Sequence, residues 1–155
     1  MSENKTVKFK TLVWRFRETG MQYPDLADMP KKKITSPEEF YKLFKPVFHE
    51  QSVEIFVVAW LSSSNRVIGY EVVSTGLLNS SLVDSRGVFR GAIVSNAASL
   101  ILAHNHPSGN PEASEEDISI TRKLVESGKV LGIHVFDHLI FAGDSYTSFV
   151  EKRLI

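Results

Sequence analysis

The sequence predicts an α+β fold: a mixed, largely antiparallel sheet flanked by helices. Three observations predict it. Residues 53–61 are almost wholly apolar and rich in β-branched and aromatic side chains, as a strand buried on both faces is. Residues 67–74 form a second strand after the turn-forming stretch 62–65, which makes a hairpin. Segments carrying helix-start signals alternate with the apolar runs, so helices must cover the sheet.

The elements follow in order. Residues 7–16 mix apolar and basic side chains, as an exposed or edge strand does. Residues 20–33, broken by Pro24 and Pro30, read as a loop. Ser36, Pro37 and Glu39 occupy N-cap, N1 and N3 of a first helix. It turns Phe40, Leu43 and Phe44 inward and should weaken near Pro46. After the hairpin, Asp84 or Ser85 caps a second helix to about Asn96, with Val88, Phe89, Ala92 and Ile93 inward. Residues 99–103 are a short buried strand. Ser114 caps a third helix that should run to about Ser127 and stop at Gly128. Residues 133–141 are a strand, Gly143 and Asp144 a turn, and 146–150 a final strand or tail.

Composition narrows the chemistry. The chain has no cysteine, which excludes disulfides, thiolate metal sites and cysteine nucleophiles. A metal would need His, Asp or Glu. Residues 1–10 lack the apolar core of a signal peptide, and no apolar run approaches the roughly 20 residues of a membrane span, so a cytoplasmic protein is expected. Formal net charge is zero, which argues against a strongly electrostatic nucleic-acid binder. Locally, residues 1–33 carry eight Lys/Arg against four Asp/Glu, including Lys31, Lys32 and Lys33. A solvated linker is the simpler reading of that bias.

The chemistry-bearing stretch begins where the short buried strand ends. His104 and His106 are one residue apart, so in extended chain both imidazoles point the same way. Pro107 turns the chain, and Asp117 arrives in the first turn of the next helix. A His, His, Asp set suits a catalytic zinc, which takes three protein ligands and acidifies a water at the fourth position. Spacing alone leaves the alternatives open. Two nearby histidines also occur without a metal, and Asp117 at N3 pairs with Ser114 as an ordinary cap. His134 and His138 read as satisfied core or surface histidines.

The run His104-Asn105-His106-Pro107-Ser108-Gly109, followed by Ser114 and Asp117, resembles the JAMM motif of MPN-type metalloproteases, in the form found in RadC-like proteins. Residues 98–103 before it, and 131–133, 137–140 and 148–149 after it, carry the same resemblance. It divides the chain into an N-terminal extension, 1–33, and a RadC-like JAMM/MPN domain, 34–155, with a cytidine deaminase-like architecture. It implies Zn²⁺ on His104, His106 and Asp117, and Ser114 beside the tetrahedral intermediate. It also implies a general acid/base glutamate on the strand after the first helix. Glu54 has that location, and a carboxylate enclosed in an apolar strand has its pKa pushed upward. An exposed strand-starting Glu54 is the simpler alternative, and Glu71 is the runner-up for the role. Two positions depart from the family: Ser85-Arg86-Gly87 replaces Pro-Arg-Glu, and Ala113 replaces a proline, which should loosen the loop slightly.

The resemblance implies a zinc-dependent hydrolase of amide, peptide or isopeptide bonds, acting on a peptide or protein. The alternative is a DNA-repair-associated accessory module without hydrolysis. The roughly 33 residues ahead of the shared domain do not match the helix-hairpin-helix region of RadC-like proteins, which weakens that alternative. A metal-free interaction scaffold ranks last, because every ligand position of the motif is filled. Oligomeric state is not legible; residues 7–16 could pair with a partner's edge.

Overall fold

Seven consecutive buried residues, Ile55–Leu61, form strand β1, the centre of the apolar framework. In the computed structural model, residues 10–13, 15, 17, 33–76 and 83–155 are described. The expected strand at 7–16 and loop at 20–33 fall largely outside them; of the strand, residues 10–13 and 15 are described, are exposed and belong to no strand. Among the described residues the order is α1 (Pro37–Phe48), β1, β2 (Val67–Thr75), α2 (Ser85–Val94), β3 (Ser99–Asn105), α3 (Glu115–Leu131), β4 (His134–Ala142) and β5 (Ser145–Ser148). The five strands form one mixed sheet in the order β2-β1-β3-β4-β5. β3 and β4 pair in parallel, joined by the crossover helix α3, and every other pair is antiparallel.

The alternation of β1 and β3 side chains builds a core on each face. Ile55, Val57, Ala59, Ile101 and Ala103 pack against Phe40, Leu43 and Phe44 of α1. Phe56, Val58, Trp60, Leu100 and Leu102 pack against α2 and α3 through Val88, Phe89, Ala92, Ile120 and Leu124. His104 continues the second set along β3, so it emerges on the α2–α3 side at the end of the strand.

Local signals decide most helix ends. Ser36 Oγ accepts from the Glu39 N–H, while Glu39 reaches back to the Thr35 N–H and hydroxyl. Asp84 caps α2 by accepting from the Gly87 N–H. α1 continues through Pro46 to Phe48, so the proline does not end the helix where the sequence suggested weakening. Ile93 is not inward: it is 57% exposed. α2 lies with Gly91 directly on Trp60, a rotation that leaves Ile93 on the solvent side.

The third helix runs beyond its expected stop at Gly128. α3 runs past Gly128 to Leu131 and is capped by Gly132, whose φ of 69° is left-handed. Gly128 is needed for another reason: a Cβ there would lie 2.5 Å from the Ile133 carbonyl oxygen. Gly132→Ala is expected to lower stability by about 1–2 kcal/mol, the cost of forcing an L side chain into that conformation. A urea denaturation midpoint reads it directly, and an unchanged midpoint would contradict the cap.

Candidate metal centre

β3 delivers both motif histidines. His104 is its penultimate residue and is completely buried. His106 follows the last strand residue, and its N–H still pairs with the Phe141 carbonyl of β4 at 2.8 Å. This extended geometry keeps the two rings on one side, with Nε2 atoms 2.9 Å apart. Pro107 then starts the turn closed by the Gly109 N–H on the His106 carbonyl. The loop returns to the N-terminus of α3, tied on its way by the Thr147 hydroxyl donating to the Pro111 carbonyl.

Asp117 both caps the helix and faces the two histidines. Its Oδ2 accepts from the Ser114 N–H at 2.8 Å, and its own N–H donates to Ser114 Oγ at 3.1 Å, a reciprocal cap. The same carboxylate faces the histidines, 3.3 Å from His104 Nε2 and 3.5 Å from His106 Nε2. Capping therefore aims the carboxylate. Burial opposes its ionisation, but the nearby His104 and His106 rings outweigh burial and hold it well below the usual carboxylate range. Burial pushes the pKa of His104 down, whereas the nearby Asp117 carboxylate pushes that of His106 up.

The donor set fits a divalent metal. His106 Nδ1 lies 2.7 Å from the Asn110 carbonyl, which only accepts, so its proton sits there and Nε2 presents a lone pair. Such a contact is how metal-binding histidines are ordinarily oriented. Nitrogen lone pairs and a carboxylate thus converge on one point, an arrangement that calls for a cation. A tetrahedral zinc site with bonds of about 2.0–2.1 Å has ligand separations of about 3.3 Å. The separations found here, 2.9 to 3.5 Å, bracket that value. Among the described residues His104, His106 and Asp117 are the set of this kind.

A groove of about 390 Å³ opens over the cluster, lined by Glu54, His106, Ser108, Asn110, Glu112, Ala113, Ser114 and Asp117. Glu54 arrives there through sheet register. Phe56 pairs with His104, so Glu54, two residues earlier, shares the His104 face at the same end of the sheet. It precedes β1 and is half-buried at the groove, not enclosed in the strand as expected. Glu71 sits within β2, opposite Val58, and is ion-paired with Arg90 of α2. Ser114 Oγ already accepts from Asp117, leaving its hydroxyl proton for an acceptor in the groove.

Two contributors escaped the sequence reading. Asn105, between the histidines, points to the other face. Its Oδ1 accepts from the Ile55 N–H at 2.8 Å and its Nδ2 donates to the Val53 carbonyl at 3.0 Å, clamping the backbone on both sides of Glu54. His138 is indeed a buried, satisfied histidine, but one of its partners is His104, 2.8 Å away. Its place on β4 opposite Leu102 follows from strand register, so no local signal marked it. His134 is exposed at the start of the same strand.

The fold and cluster together define an α+β domain with a His, His, Asp centre at the end of a parallel strand pair. The sequence model of the RadC-like JAB domain matches residues 34–154, and the chain belongs to that family. It is 42% identical over 138 residues to a UPF0758 protein of Methanosarcina mazei, covering 89% of this chain and 60% of that one. It is 46% identical over 125 residues to one from Salinibacter ruber, covering 81% and 54%. A third, from Pelobacter propionicus, is 43% identical over 145 residues, covering 94% and 60%. The chain thus spans little more than half the length of these relatives. Among the described residues no helix is long and apolar enough to cross a membrane.

Proposed function

We propose that this domain is a zinc-dependent hydrolase of amide bonds, in a peptide or an isopeptide linkage. The observation that carries the reading is the convergence of His104 Nε2, His106 Nε2 and the Asp117 carboxylate beneath an open groove that also holds Glu54 and Ser114. The chemistry a zinc ion supplies when bound is Lewis acidity, which brings the pKa of water toward about 7 and polarises a carbonyl. His104, His106 and Asp117 would hold it. Glu54 accepts a proton from the water that attacks the carbonyl carbon, then returns it to the amine nitrogen as the C–N bond breaks. The products are a carboxylic acid and a free amine. Ser114 donates its hydroxyl to the carbonyl oxygen as negative charge develops there.

Elemental analysis tests the reading. Wild-type protein, purified without a histidine tag and supplied with zinc before dialysis, is expected to retain about one zinc per chain. The double variant His104→Ala/His106→Ala is expected to retain none. Wild-type protein that keeps no metal would sink the hydrolase reading. A DNA-associated accessory role would then be tested by DNA affinity against salt, since a binder using phosphate contacts loses affinity steeply as salt rises.

A further inference from the structure

Behind His104, away from the groove, lies a buried chain of polar contacts. His104 Nδ1 is 2.8 Å from His138 Nε2, and His138 Nδ1 is 2.6 Å from Thr121 Oγ1. The Thr121 hydroxyl donates to the Asp117 carbonyl at 2.6 Å. All three side chains are at most 1% exposed. His138 and Thr121 do not line the groove.

The proton positions follow from counting. Thr121 has one hydroxyl proton, and the Asp117 carbonyl takes it. Thr121 Oγ1 can therefore only accept from His138, so His138 carries its proton on Nδ1. A neutral His138 then has a bare Nε2, which accepts from His104 Nδ1–H. His104 in turn has a bare Nε2, on the side of His106 and Asp117. His106 is oriented by a carbonyl, which is an acceptor in every state. His104 is oriented by an imidazole nitrogen, His138 Nε2, which accepts in only one of the two neutral forms. The hydroxyl of Thr121 selects that form.

We propose that Thr121 and His138 are positioning residues that hold the His104 proton on Nδ1 and so present its Nε2 lone pair to the metal centre. The proposal rests on the metal-centre reading for its consequence but not for its proton placement. The relay begins and ends on ligands: it starts at the His104 ring and closes on the Asp117 backbone, coupling β3, β4 and the first turn of α3.

The test uses the full chain with ¹⁵N-labelled histidine. Long-range ¹H–¹⁵N spectra, with and without one equivalent of zinc, are expected to show His138 protonated on Nδ1 and bare at Nε2 in both. Thr121→Val removes the hydroxyl at nearly constant volume. It is expected to weaken zinc binding about 10–100-fold in competition with a chromogenic chelator, the range for lost outer partners of metal ligands. Thr121→Ser restores the hydroxyl and should restore affinity. His138→Gln, whose amide oxygen can accept from His104, should bind zinc better than His138→Phe. A proton on His138 Nε2 in the wild type would overturn the proposal, as would folded Thr121→Val binding zinc as tightly as wild type. If the wild type binds no zinc, the metal-centre reading fails, and the His138 spectrum still decides the relay.

Discussion

Glu54→Gln is expected to lower turnover by about 10²–10⁴-fold while zinc content stays at the wild-type level. Glutamine preserves the size and hydrogen-bonding reach of the side chain but cannot take up a proton. Glu54 is not one of the three converging side chains, so metal retention should not follow its charge. The Asn105 clamp holds the backbone on either side of it, so the substitution leaves the groove's shape intact. The measurement is kcat/KM on peptide and isopeptide substrates, with elemental analysis of the same samples. Glu71→Gln is the control: its side chain is committed to Arg90, and its turnover should stay near wild type. Full activity in Glu54→Gln would remove it from the proposed mechanism. Loss in Glu71→Gln alone would transfer the role.

Gly91→Ala is expected to cost about 3 kcal/mol or more, the upper end of overpacking penalties in a filled core. A Cβ at this position would lie 2.1 Å from one Trp60 ring atom and 2.4 Å from another. Trp60 is itself buried in β1 beside Phe89 and Ala92, so neither ring nor helix has room to yield. The check is a urea unfolding curve for the single variant and for Gly91→Ala combined with Trp60→Phe. The smaller ring should return part of the loss, giving a coupling between the two sites. Strictly additive effects would mean that the contact is not what requires glycine at 91.

Glu54 could be singled out along the chain, but the importance of Gly91 could not. Gly91 reads as an unfavourable residue inside a helix until Trp60, 31 positions earlier, is placed beneath it. The expected helix stop at Gly128 fails for the same reason. Only contact with the Ile133 backbone explains that glycine, and Gly132 is the cap.

What the sequence by itself determined is what short-range geometry encodes. The apolar run of β1, the caps at Ser36 and Ser114, and the facing of His104 and His106 need only the periods of strand and helix. The convergence of these three side chains was legible for that reason, while their reading as metal ligands came from the resemblance of the motif. Tertiary structure alone decided the rest. Antiparallel pairing of β1 with β3 carries Glu54 to the His104 end, and parallel pairing of β3 with β4 brings His138 against His104. Strand register is set by burial of both sheet faces over the whole core, and no local pattern of residues specifies it.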